Sequence, residues 1–165
     1  MTGPSTDRPD MPDGYGVDQA TRYVEWTEVV ARLTASPNYW LATTRPDGRP
    51  HVVPRWGVWL DDAFWYDGSP ETIHVRNLEQ NPVCALHLES GTEVTIVEGR
   101  SIRPEPIVGE LGERLAAEYA RKYGTQYSPE PDAWSDEIAG GMRTIAPERV
   151  LAWTDFPKDL TRFTF

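Results

Sequence analysis

Tyr39 to Glu98 reads YWLATTRPDGRPHVVPRWGVWLDDAFWYDGSPETIHVRNLEQNPVCALHLESGTEVTIVE. Five short apolar runs lie in it, separated by Pro46-Asp47-Gly48, Asp61-Asp62, Gly68-Ser69-Pro70, Asn81-Pro82 and Ser90-Gly91. Short runs punctuated this regularly argue for an antiparallel sandwich or barrel. Glu71 to Gln80 interrupts them with a helical pattern. The stretch is a β-meander with one helix inserted near its middle.

The strands expected here are 39–44, 51–60, 63–67, 83–89 and 93–103. In 51–60, Val52, Pro54, Trp56, Val58 and Leu60 share one face, and His51, Val53, Arg55, Gly57 and Trp59 the other. Pro54 cannot donate to a ladder and Gly57 permits close backbone approach. A proline and an arginine in mid-strand mark a place where pairing is broken and a ligand reaches the backbone. After 63–67, Ser69 is the expected N-cap and Pro70 the first helical residue. Free N–H groups at such a helix start attract anions. Gly68, Ser69, Thr72, His74 and Arg76 therefore converge on a place suited to a phosphate. An ordinary capped helix with Arg76 paired to a surface acid explains the same residues equally well.

Outside this stretch, residues 1–16 carry too few apolar groups to offset their ordering entropy, so a mobile tail is expected, ordered only across a partner subunit. Residues 17–165 form a single domain. A helix is expected over 18–35, ended by Ser36-Pro37, and a second over 107–123, with Leu111, Leu115, Ala116 and Tyr119 on one side. A long irregular connection over 125–141 includes a helical turn around Trp134. A last strand over 142–155, kinked at Pro147, leads to the tail 156–165.

Composition narrows the function. At 165 residues the chain is long enough to bury a core, and seven Trp and seven Tyr supply large apolar area. A net charge of −10 argues against non-specific binding to nucleic acid or an anionic membrane. Its 16 basic residues are all arginine except Lys122 and Lys158. One cysteine, Cys84, precludes an internal disulfide and fits a reducing compartment. With no long apolar run and no signal-peptide pattern, a soluble, cytoplasmic protein is expected. The three histidines lack metal-ligand spacing, Cys84 lacks a basic neighbour in sequence, and no GxSxG elbow occurs. No catalytic side chain is assigned.

The stretch resembles the flavin-binding split-barrel family, the pyridoxamine 5′-phosphate oxidase-like proteins, and most of all the branch that binds FMN or the deazaflavin coenzyme F420. The resemblance rests on Tyr39-Trp40-Leu41-Ala42-Thr43, Pro46 to Val52, Pro54 with Trp56, Arg76-Asn77-Leu78 with Asn81-Pro82, Val97-Glu98-Gly99, Leu151 to Thr154 and Thr161-Arg162-Phe163. It implies a six-stranded antiparallel split β-barrel with peripheral helices, a homodimer, and a cofactor groove between subunits. It also implies that Val53, Pro54, Arg55 and Trp56 hold the cofactor ring and that Asp67, Gly68, Ser69, Thr72 and His74 hold its phosphate. The activity implied is hydride transfer between FMN or F420 and a small organic substrate. The alternative is a non-catalytic protein that stores or senses a flavin, deazaflavin or tetrapyrrole in the same groove. Two departures weaken the phosphate site: relatives often carry lysine where this chain has His74, and serine or threonine where it has Asp67. Arg55, where many relatives are aliphatic, restores one charge. If His74 is the phosphate ligand, its pKa rises from about 6.5 on binding.

Overall fold

The computed structural model describes residues 3–15 and 21–165. Its strands are β1 (Ser5–Asp7), β2 (Tyr39–Thr44), β3 (Pro50–Arg55), β4 (Val58–Leu60), β5 (Ala63–Tyr66), β6 (Val83–His87), β7 (Val94–Ile102), β8 (Arg143–Trp153) and β9 (Thr161–Thr164). The helices are α1 (Trp26–Ala35), α2 (Ile73–Gln80) and α3 (Glu110–Tyr123), with a short 3-10 turn at Ala139–Gly141. The strands join in one antiparallel sheet that does not close, in the order β1-β9-β8-β7-β6-β2-β3. This is a mainly β split barrel with peripheral helices. No described helix is long and apolar enough to cross a membrane.

β8 is the spine. Its first residues pair with β5, Phe64 opposite Ile145, and its last with β9, Val150 opposite Phe163. Its other edge pairs with β7 throughout, and the register slips at Glu98/Gly99, where Pro147 stands opposite Gly99. A proline removes one ladder donor, and a bulge absorbs the loss. The kink expected at Pro147 is this bulge.

Nine strands replace the six expected, for three reasons. The run 51–60 divides into β3 and β4, the tail contributes β9, and Ser5–Asp7 pairs with β9 as an edge strand. The N-terminal tail, expected to be ordered only across a partner, is held at this point by its own chain. Arg162 forks onto the Asp7 carboxylate at 2.7 and 2.6 Å, supplementing the backbone ladder.

α1 begins at Trp26; of the helix expected over 18–35, residues 18–20 lie outside the described residues, and 21–25 are not helical. Glu25 stops the helix there by forming a reciprocal capping box with Glu28. Val24 still buries its side chain, from the extended lead-in, where its N–H donates to Thr161 Oγ1 at 2.8 Å.

The core has two parts. One lies between the sheet and α1, built from Val29, Leu33, Tyr39, Leu41, Phe64 and Val150. The other lies under α3, where Leu115, Ala116, Tyr119 and Tyr123 pack on Val58, Trp134 and Met142. The spacing of 115, 116, 119 and 123 is one helical face, and full burial of a side chain such as Leu115 stabilises by roughly 1.5–3 kcal/mol.

Candidate functional site: the cleft at the β3–β4 break

The candidate site sits where β3 stops. Between Arg55 and Val58 the chain leaves the sheet: β3 pairs only with β2, and β4 only with β5. Gly57 fits because a Cβ there would stand 2.5 Å from the Phe64 ring and from the Trp65 carbonyl oxygen. Its freed backbone groups find partners on α3. The Gly57 N–H donates to Tyr123 Oη at 3.1 Å, and its carbonyl accepts from Lys122 Nζ at 2.9 Å. Lys122 also donates to Tyr39 Oη at 2.8 Å, and burial pulls its pKa down to about 7. Trp56, turned outward by the break, stacks on Tyr123 with ring centres 4.9 Å apart.

A cleft of about 360 Å³ opens beside this break, lined by Pro54, Arg55, Trp56 and Asp67 together with Tyr119, Gln126 and Tyr127. Four residues expected at the site thus share one cleft. Tyr119, Gln126 and Tyr127 escape sequence reasoning, since Tyr119 reads as a core position of α3 and the other two as loop. Val53 is half-buried and packs toward the core instead of lining this cleft.

Asp67 is not free to meet an anion. Its carboxylate accepts from Tyr127 Oη at 2.5 Å and Trp134 Nε1 at 2.9 Å, which pins the 125–141 connection over the cleft. The cost of a carboxylate beside a phosphate is thereby reduced, because its lone pairs face two donors. Arg55 donates from Nη2 to the Asp67 carbonyl at 2.6 Å and lies over the Tyr66 ring at 5.3 Å. Gly68, at φ 153°, lets it approach: a Cβ there would stand 2.8 Å from Nη2. Arg55 Nε is buried and meets no acceptor.

The expected phosphate residues are arranged differently from the reading of the sequence. α2 starts at Ile73 with Thr72 at the N-cap, three residues later than Ser69-Pro70 suggested. Ser69 Oγ accepts the Glu71 N–H at 3.2 Å, and Thr72 Oγ1 donates to the Ser69 carbonyl at 3.0 Å. These bonds close a turn, so both hydroxyls serve the backbone. His74 is buried, 5.9 Å from the Tyr66 ring and 3.4 Å from Thr72 Oγ1. Burial first, then the nearby Arg55 charge, lowers its pKa to about 4. Before any ligand binds, His74 is neutral, and the fixed cation beside it is Arg55. The first-turn N–H groups of Ile73, His74 and Val75 find no backbone acceptor among the described residues.

The other candidates read as structure. Cys84 is buried, its thiol directed at the Gly99 carbonyl, and burial pushes its pKa up to about 12. His87 is exposed, its Nδ1–H donating to the Leu88 carbonyl at 2.9 Å and its ring stacking on Trp40.

Comparison with known proteins follows this geometry. Residues 26–153 match the family model described as pyridoxamine 5′-phosphate oxidase. A search of curated proteins found no match. Among solved structures, a FAD-binding protein from Mesorhizobium loti superposes with a TM-score of 0.59 at 19% identity, covering 86% of this chain and 95% of that one. The heme storage protein from Vibrio cholerae gives 0.58 at 20%, covering 76% and 92%. An F420 reductase gives 0.50 at 19%, covering 94% and 97%. These likenesses concern the fold; the family match covers most of the sequence itself, and the chain belongs to the pyridoxamine 5′-phosphate oxidase family.

Proposed function

We propose that the cleft beside Pro54, Arg55 and Trp56 binds the ring of a flavin-type cofactor, FMN or coenzyme F420, for hydride exchange with a small organic substrate. The observation that carries this reading is the cleft itself: aromatic rings and Pro54, with Arg55, Gln126 and the already engaged Asp67 as its polar groups, opening at a break in the sheet. Arg55 Nε, buried without an acceptor, is a donor in search of a partner. Trp56 and Tyr127 are placed to exclude water from one face of a planar ligand, and the exposed edge of β3 offers it backbone groups. The first-turn N–H groups of α2, with Arg55, are the remaining donors for an anionic end. When bound, the cofactor supplies the hydride chemistry, and the protein supplies orientation and dryness. A second copy of the chain is proposed to close the groove.

A second reading, non-catalytic binding of a flavin, deazaflavin or tetrapyrrole, is favoured by one observation: no fixed cation stands at position 74, where a neutral, buried histidine replaces it. Titration of the cofactor-free protein with FMN and with F420, followed by absorbance and fluorescence, tests both. Dissociation constants below about 100 μM for either are expected; weaker binding of both removes the cofactor reading. Reoxidation of the bound reduced cofactor by a quinone, a nitro compound or biliverdin, faster than in buffer, supports the enzyme. Tight binding without turnover supports the storage or sensing role.

A further inference from the structure

We propose that the cleft between the 45–49 hairpin and α2 is a second binding site, for a small anion carrying two or more phosphoryl or carboxylate groups. The cleft encloses about 430 Å³ and shares no lining residue with the ring cleft. Arg45 and Arg49 line it from the hairpin and Arg76 from α2, with Ile73 and Asn77 also on the α2 wall.

The argument comes from where the arginines spend their charge. Across the chain, arginine side chains are matched: Arg22 to Glu28, Arg100 to Glu148, Arg114 to Asp61, Arg149 to Glu98, Arg162 to Asp7. Arg103 and Arg143 share Glu79, Arg121 takes Glu118, and Arg8, Arg32 and Arg55 donate to carbonyls. Among the described residues only Arg45 and Arg76 have no side-chain partner, and both line this one cleft. In a chain of net charge −10, acids to pair with are abundant, so two unmatched guanidinia in one concavity are not a product of composition. The one acid present, Asp47, is already engaged: it accepts from Arg49 Nε at 2.8 Å and from the Arg49 N–H at 3.1 Å. The rim therefore presents two uncommitted planar forks, the geometry that holds carboxylate or phosphoryl oxygens in pairs.

The site shares no residue with the ring cleft and, of Ile73, His74 and Val75 in the first turn of α2, is lined only by Ile73, so its test uses cofactor-free protein. Calorimetric titration with inorganic pyrophosphate and, separately, with citrate is expected to give saturable binding with a dissociation constant below about 1 mM. The tighter of the two identifies the phosphoryl or the carboxylate class. An Arg45→Gln, Arg76→Gln double variant is expected to bind at least about tenfold more weakly. An Arg100→Gln, Arg149→Gln double variant makes the same change in net charge at paired surface arginines and is expected to bind as wild type. In the wild-type protein, the Nε–H resonances of Arg45 and Arg76 should shift on adding pyrophosphate, with those of Arg100 and Arg149 still. Failure of both probes to bind below about 1 mM, or equal weakening in the two double variants, overturns the proposal.

Discussion

Position 74 shows how far burial can redirect a residue. An exposed histidine at a helix start would gain a proton beside an anion. Here the ring lies under Tyr66 with Arg55 close by, and its pKa falls to about 4. The unfolded chain, with a value near 6.5, holds the proton more tightly. Acid therefore favours unfolding through this group. Its contribution to stability is complete above about 6.5 and is lost as pH falls toward 4. Thermal melts of wild type and His74→Asn should show this as a difference that narrows from about pH 7.5 to about pH 5. An NMR titration of the His74 ring should find it neutral across that range. A titration at or above the ordinary histidine value would show that the ring is not buried against Arg55. Between pH 6 and pH 8.5 His74 should then add no pH dependence to the affinity for an anionic cofactor, in place of the histidine-driven profile the sequence suggested, because its ring is already neutral there.

Among the elements, the β3–β4 break is the one on which the site depends. It turns Trp56 out of the sheet onto Tyr123, and α3 holds it by accepting and donating at both backbone groups of Gly57. Gly57→Ala inserts a carbon against the Phe64 ring and the Trp65 carbonyl, and overpacking of this kind costs about 1–3 kcal/mol. A lowered urea midpoint with an unchanged slope is the expected result. An unchanged midpoint would mean that Phe64 and the Trp65 peptide move aside and that the break is not tightly specified. The connection after α3 is fixed from the opposite side, through Tyr127 and Trp134 on Asp67, so both walls of the cleft depend on contacts with α3 and its sequel.

For the whole molecule, the open edge of the sheet points to a second copy. One face of β3, carrying Pro50, Val52 and Pro54, is exposed, and Val52, Trp56 and Val83 are exposed at 47%, 41% and 46%. Val52 stands beside Ala42, and Ala42 beside Ala85, giving an apolar row across three strands. Pro50 and Pro54 cannot donate from this edge, which disfavours simple strand addition and favours face-to-face packing. Light scattering at micromolar concentration is expected to give twice the 18.7 kDa chain mass. Val52→Arg should halve that mass and weaken cofactor binding together. A wild-type monomer would remove the shared groove.

The sequence by itself determined the local framework. β2 occupies 39–44 as the alternation of apolar residues and Pro46-Asp47-Gly48 indicate, and Asp61-Asp62 turns the β4–β5 hairpin with both residues at positive φ. The family resemblance, and with it the split barrel, was readable because its motifs follow that framework in order. The tertiary structure decided the rest. The run 51–60 reads as one strand with pairing broken at Pro54 and Arg55, yet both stay paired and it divides at Trp56-Gly57, where Tyr123, 66 residues beyond Gly57, takes the backbone groups of the break. Asp67 reads as a spoiler of an anion site until Tyr127 and Trp134 claim it. Ser5–Asp7 has the composition of a tail and becomes a strand because β9 presents an unpaired edge. Turns and alternation are properties of neighbours in the chain and can be read there. A lone pair, a charge or a ladder edge is settled by whichever distant group folding brings within 3 Å, and no local pattern encodes that partner.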